Sequence, residues 1–503
     1  MAGAYAWLQH TGLFASSELE SLLRELSRQV PLSELPRASA HVDVLHVMTQ
    51  AYATGGPTQA VARWIDRDAT RRHHICLTQQ REAPIPDKLL ARTRERADLT
   101  VLTSDHGGLI ERAAQLRALA ARADLVIISN HPHDVVPTLA FAATPRTGIV
   151  TLNHSDHVFW LGTSVPGILL NMRESGHELA VSRRGISESR SIVMARPLAE
   201  TERTLDREAA KERLGLAVDA RLVVTIADGA KYRSVGGPSF LELVTPVIMA
   251  DPKAVLLAAG PAPEGEWLEA ERATGGRIRA LGLLPDVRVL QQAADVYLDS
   301  FPFASLTSLL EAGSYGTPVI TYRGHPDGCE VLGSDTPGVD EHMVRPGTPD
   351  ELQSAVSRLL GDTAQRQLVG ARTQQAILST HTGPGWHDSL ERVYDRAVEP
   401  PVIDPANTPS RSTGPLDVLV ALVQAANPFH QGVLGAAKMA LPYFPAWDRA
   451  KEWGGLAREG HLASPVLLLA PGAADWFTTH RRALGLRRPS RRGRAREQAG
   501  LSR

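Results

Sequence analysis

FPFASLTSLLEAGSYGTPVI, residues 301–320, reads as the exit of one buried strand, a turn of small residues, a helix and the start of another strand. The flanking runs DVYLD (295–299) and PVIT (318–321) supply the two strands. Ser305, Thr307 and Ser308 fall where the helix begins, so hydroxyls and unbonded amides face out of the sheet together. A helix start of this kind attracts phosphate through its free N–H groups and the positive end of its dipole. Glu311 lies one turn further in, within reach of a sugar that the phosphate carries.

The same alternation covers most of the chain. Upstream, HVDVLHVM (41–48) is a near-continuous apolar run, as in a strand buried on both faces. It leads into TQAYATGGPTQAVARWI, where Gly55 and Gly56 give a tight turn and Pro57 opens a helix. That turn belongs at the carboxyl edge of the sheet, which makes Gly55 and Gly56 candidates for ligand contact. Further strands are expected at 74–78, 99–104, 123–130, 147–154, 165–172 and 191–198, with helices at 85–96, 108–122 and 134–143. Ser155-Asp156-His157 is read as the start of a short helix.

A charged, helical linker at 199–218 leads to a second set, with strands at 221–229, 254–261 and 277–286 and helices at 240–248, 264–274 and 286–294. Helices at 349–361, 363–379 and 386–397 follow with no strands between them. The expected fold class is α/β: two doubly wound, Rossmann-like domains, 1–198 and 199–399, facing a cleft. A Pro/Ser-rich connector opens a helical extension at 400–480, and 481–503 is an arginine-rich tail expected to be disordered.

Composition narrows the class. The 503 residues suit two or three domains, and 43% hydrophobic with 22% charged residues is ordinary for a soluble protein. Cys76 and Cys329 lie far apart without metal-ligand spacing, which argues for a reducing compartment and against a zinc or disulfide scaffold. The chain shows no secretory pattern and no apolar run of about 18 residues, so a cytoplasmic location is expected. The tail holds nine arginines against one acid, Glu497. It could dock at the membrane inner face on anionic lipid, bind nucleic acid weakly or simply solvate; no specific nucleic acid is expected. The Ala, Arg and Gly content suits a GC-rich bacterial source.

Over about residues 41–397 the chain resembles glycosyltransferases of the GT-B fold. VVTIADGAKYRSVGGPSFLELVTPVIMADPKAVLLAAGP (223–261) is similar to the opening of that superfamily's donor domain. ALGLLPD (280–286) and DSFPFASLTSLLEAGSYGTPVIT (299–321) resemble its nucleotide-binding region. The resemblance implies transfer of a sugar from a nucleotide diphosphate donor, with a UDP-sugar favoured, to a hydroxyl-bearing acceptor. The acceptor, whether glycan, protein or secondary metabolite, stays open. A sugar-nucleotide epimerase or hydrolase on the same fold, or a binding protein without chemistry, are the alternatives.

The resemblance also implies roles. Lys231, with Asp228 in the same loop, would sit at the donor diphosphate and offset the leaving group's charge. Ser305, Leu306, Thr307 and Ser308 would hold the same phosphates, Glu311 the ribose hydroxyls, and Gly282, Leu283 and Leu284 the base. Many retaining members carry a glutamate where this chain has Phe303, and FPFASLTS resembles the inverting O-GlcNAc transferase type instead, so retention or inversion is open. No Asp-x-Asp motif stands at a strand end, so no divalent metal and no other cofactor is expected; the nucleotide-sugar is a co-substrate. For a base the first domain offers His154, His157, His131, His133 and Asp156; His154, at the end of its strand, is the choice, with a donor-binding or capping role as its alternatives.

Overall fold

The computed structural model describes residues 1–31, 41–52, 56–80, 84–102, 108–144, 146–400, 409–426, 432–461 and 465–469. Gly55 and the arginine tail lie outside the described residues. Helices α1 (Ala2–Leu8) and α2 (Ser17–Arg28) precede the first domain. In that domain β1 (Val42–Met48), α3 (Gly56–Arg67), β2 (His73–Leu77), α4 (Asp87–Arg96), β3 (Ala97–Val101), α5 (Leu109–Ala120) and β4 (Ala123–Ser129) come first. There follow α6 (Val136–Phe141), β5 (Ile149–Asn153), β6 (Ile168–Asn171), α7 (Glu174–Arg184) and β7 (Ser191–Val193).

The second domain opens with α8 (Arg207–Arg213), β8 (Arg221–Ile226), α9 (Phe240–Ala250), β9 (Ala254–Ala259) and α10 (Glu266–Ala273). It continues through β10 (Ile278–Ala280), α11 (Arg288–Ala293), β11 (Val296–Leu298), α12 (Leu306–Gly313) and β12 (Val319–Ile320). After it come α13 (Pro349–Gly361), α14 (Thr363–His381) and α15 (Gly383–Val398), then α16 (Pro415–Ala426), α17 (Gly432–Ala440) and α18 (Ala446–Arg458).

Two parallel sheets result. The first has seven strands in the order β3-β2-β1-β4-β5-β6-β7, the second five in the order β10-β9-β8-β11-β12. Each order reverses once, between β1 and β4 and between β8 and β11. In doubly wound sheets ligands bind in the crevice at that reversal, beyond the strands' carboxyl ends. The strands are buried almost throughout, which explains their unbroken apolar runs.

Two local expectations are corrected. Residues 155–157 form a turn, because the Asp156 carboxylate is drawn into a two-point bond with Arg173. Of 199–218 only Arg207–Arg213 is helical. The preceding segment is pulled out of helix by Gln292, whose Oε1 accepts from the amides of Thr204 and Leu205 at 2.7 and 2.8 Å.

The chain crosses between the domains twice, at neighbouring points. The amide of Leu198 donates to the carbonyl of His381 at 3.0 Å, and the His381 Nδ1 bonds the Arg196 carbonyl at 2.8 Å. Beyond His381, α15 returns to the first sheet. It buries Trp386, Leu390, Val393 and Tyr394 in one core with Val44, Trp64 and Ile127. The extension packs back as well: α16 places Leu416 and Val420 with Phe14, Leu179 and Leu332. Asp417 accepts from His10 at 2.7 Å and Arg183 at 2.8 Å.

Candidate active site

The two sheet edges face each other across a cleft of about 640 Å³. On the second-domain side its floor comes from the two strands that flank the reversal. Beyond β8 runs the loop with Asp228 and Lys231; beyond β11 runs the loop that ends at Ser305 and starts α12. Backbones crowd here. Gly260, at φ +114°, lies where a Cβ would come within 1.8 Å of the Ala227 carbonyl, so only glycine lets β9 leave the sheet beside that loop.

Asp299 organises the helix start. Its Oδ1 accepts from the amides of Ser300 and Ser305 at 2.8 and 2.9 Å, and its Oδ2 accepts from the Ser334 hydroxyl. Burial pushes the Asp299 carboxyl up, although Ser334 and the Ser305 amide oppose this. With the Ser305 amide taken, the first turn of α12 presents the amides of Leu306, Thr307 and Ser308.

Lys231 reaches into the same space. Its Nζ donates to the Ala304 carbonyl at 2.6 Å and lies 4.6 Å from the centre of the Phe303 ring. Burial, with Arg196 and Arg173 nearby, pushes its ammonium down to about 8, against the pull of Asp299. Phe303 also packs at a tilt against His157, ring centres 4.5 Å apart.

The first domain supplies the other wall. His154 follows β5, and its Nδ1 donates to the Leu152 carbonyl at 3.3 Å, which leaves the Nε2 lone pair as the acceptor. Burial, then the neighbouring His131, pushes it down to about 4, so the ring is neutral at pH 7. Asp156 is held by Arg173 at 2.6 and 2.8 Å; burial alone would raise that carboxyl, but Arg173 outweighs it and keeps it well below the usual range. Arg173 in turn donates to the carbonyls of Gly333 and Val331 in the second domain. Arg196 crosses too, with Nη1 2.5 Å from the Thr307 hydroxyl, and burial pushes its guanidinium down to about 10. Arg63 of α3 bonds Glu311 of α12 at 2.5 Å.

The charges in the cleft do not cancel. Asp156 is matched by Arg173 and Glu311 by Arg63, while Asp228 caps its own turn through the Ala230 amide. Lys231 and Arg196 are in no ion pair among the described residues, while Asp228 and Asp299 act on Lys231 from a distance, so the charged groups lining the cleft carry a net positive charge beside the α12 start.

His154, Lys231, Glu311, Gly56, Asp228, Leu283, Leu284, Ser305, Leu306, Thr307 and Ser308 all line the cleft. Gly282 does not; at φ +69° it turns the chain so that Leu283 projects. Residues that sequence reasoning missed are Arg63, Arg173, Arg196 and Asp299. The one available signal was position, since Arg196 and Asp299 each follow a strand closely.

Comparison with known proteins gives a consistent fold. Residues 223–362 match the family described as "Glycosyl transferases group 1". Among solved structures the chain is similar to Anabaena HepE in complex with UDP and glucose, at 15% identity and TM-score 0.54, covering 71% of this chain and 100% of that one. It is also similar to a glycosyltransferase from Rickettsia africae ESF-5, at 11% identity and TM-score 0.55, covering 71% and 99%. A comparison with curated proteins found no match.

Proposed function

We propose that this chain, which carries a group 1 glycosyltransferase donor domain on the GT-B fold, moves a hexose from a UDP-sugar to an acceptor hydroxyl. The observation that carries the reading is the pair of cations Lys231 and Arg196, in no ion pair among the described residues, beside the α12 start and facing His154. A diphosphate brings two negative charges to that spot. As the sugar leaves, charge builds on the departing phosphate, where fixed cations and helix amides stabilise it most. Glu311 receives the ribose, and Leu283 and Leu284 form the base side of the donor site. The neutral His154, with its Nε2 free, takes the acceptor's proton.

The reaction is read as metal-independent, because Asp156 and Glu311 each pair with an arginine and the charge work falls to Lys231, Arg196 and helix amides. We also read the protein as cytoplasmic and bacterial, on composition and on two buried, free cysteines; the arginine tail is offered as a contact for anionic lipid. Among the described residues no helix is long and apolar enough to cross a membrane.

The test is incubation with UDP-glucose and other UDP-hexoses, read as UDP release with and without EDTA. Release that persists in EDTA is expected. If UDP neither raises the melting temperature nor appears as product, the reading fails.

A further inference from the structure

The chain crossings near Leu198 and His381 are one link between the domains; helix α16 forms another. It lies over the junction where α7 of the first domain meets residues 327–335 of the second. Its Leu416 and Val420 are buried in one cluster with Phe14 and Leu179 from the first-domain side and Cys329, Val331 and Leu332 from the second. Further along the helix, Leu422 reaches over the loop that follows Lys231: a Cβ on Gly236 would stand 3.8 Å from its Cδ1.

The attachment is unequal. Polar anchors lie on the first-domain side: the Ser410 and Ser412 amides donate to the carbonyls of Arg183 and Gly12, each at 3.2 Å, Asp417 holds His10 and Arg183, and the Gln424 side-chain amide donates to the Trp7 carbonyl at 3.0 Å. Toward the second domain the helix offers Leu416, Val420 and Leu422, whose contacts have no preferred direction and can part and re-form. The junction is also incompletely filled, with a cavity of about 300 Å³ among α7, residues 327–331 and the start of α16. Like charges face each other there. Burial, then Glu174, Glu330 and Asp335, raise the Glu178 carboxyl, and the last two acids belong to the second domain. Phe303 connects the junction to the cleft: it is partly buried against the α16 cluster, and the same ring lies 4.6 Å from the Lys231 Nζ.

We propose that α16 is a strap that sets how far the cleft opens: its polar anchors fix it to the first domain, and its apolar face clasps the second domain or lets it go. The strap holds whatever the cleft binds, so it does not depend on the transferase reading. It does impose a coupling. A ligand that bridges both walls of the cleft and a strap that is closed must favour each other, because each is stronger when the domains are together.

The two cysteines give native probes, since Cys329 is buried in the α16 cluster and Cys76 in the core of the first domain. The experiment is labelling of the full chain with iodoacetamide, each cysteine read by mass spectrometry, with small-angle X-ray scattering on the same samples. Val420→Asp puts a charge into the apolar contact and should speed labelling of Cys329 by at least about tenfold, leave Cys76 protected and raise the radius of gyration. Leu416→Ala, a milder change, should act in the same direction. Cys329 labelling unchanged in both variants overturns the proposal. Faster labelling with an unchanged radius overturns it too, since α16 would then cover the thiol without tying the domains. So does exposure of Cys76 and Cys329 together in both variants, which would make α16 part of the cooperative fold and not a separable strap.

Discussion

Arg63 and Glu311 join the two domains directly: a guanidinium from the first and a carboxylate from the second, 2.5 Å apart over the cleft. The Glu311 Oε2 is less committed, with Gln291 at 3.4 Å. On the proposed donor role, a ribose would compete with Arg63 for one oxygen and meet only Gln291 at the other. Glu311→Ala should weaken UDP binding by about tenfold, as a charge-assisted bond is lost. It should also abolish any preference of UDP over 2′-deoxy-UDP. Calorimetry with both ligands decides; a variant that keeps the wild-type preference would remove Glu311 from the ribose.

Lys231→Ala should lower turnover by about 10²–10³, the scale for losing one preorganised charge at a developing anion. The wild type should also show an alkaline limb. In the free protein the ammonium titrates at about 8, whereas a bound diphosphate holds it protonated. UDP affinity should then fall as pH rises above 8, by up to about tenfold per pH unit. Affinity constant to pH 10 would show that Lys231 does not touch the diphosphate.

Phe303 presents an apolar face to the Lys231 ammonium, where a carboxylate would stabilise the charged form. In Phe303→Glu the alkaline limb should move to higher pH, and a limb left in place would mean the two side chains are not coupled. Product anomer analysis of the same variant and the wild type then reports whether the acid changes the stereochemical course.

Acid should destabilise the fold well before its carboxylates titrate. His131, His154 and His381 are each pushed down to about 4 by burial, and His46 is pushed well below its ordinary value. The unfolded chain protonates these rings near pH 6.5 and the folded one does not, so stability is complete above 6.5 and is lost as pH falls toward 4. The melting temperature should drop by at least about 5 °C over that interval. A flat profile from pH 6.5 to 4 would contradict this.

Asp417 fastens α16 to the first domain through His10 and Arg183. Asp417→Ala leaves both partners facing an empty position and should cost about 3 kcal/mol. Cleavage near the 400–415 connector by a low level of protease should accelerate. Equal melting and equal proteolysis would show that the extension is held by its apolar face alone.

Much of this was legible in the sequence. Strands buried on both faces announce themselves as unbroken apolar runs, and the small-residue turn before Leu306 marked the helix start that faces the cleft. Other features depend on closure in three dimensions. Arg63, Arg173 and Arg196 are three arginines among many until the domains meet. Helix α7 went unread because Ser175 and Gly176 open it; their small side chains are needed there, since a Cβ on Gly176 would stand 3.0 Å from the Asp156 carboxylate. The rings of Trp7, Tyr52, His131 and His133 meet over the first sheet from three separate segments, which no local pattern brings together.

The meeting of Leu198 with His381 makes the second domain an insert, with its two ends in hydrogen-bond contact. Residues 199–381 thus leave and rejoin the first domain through what is mechanically one seam. Both chain connections therefore lie side by side, and side-chain bonds from Arg63, Arg173 and Arg196 add further ties between the domains. For engineering, that seam is a pair of adjacent splice points: a different second domain can be exchanged between them while the first domain and its returning helix stay as one piece.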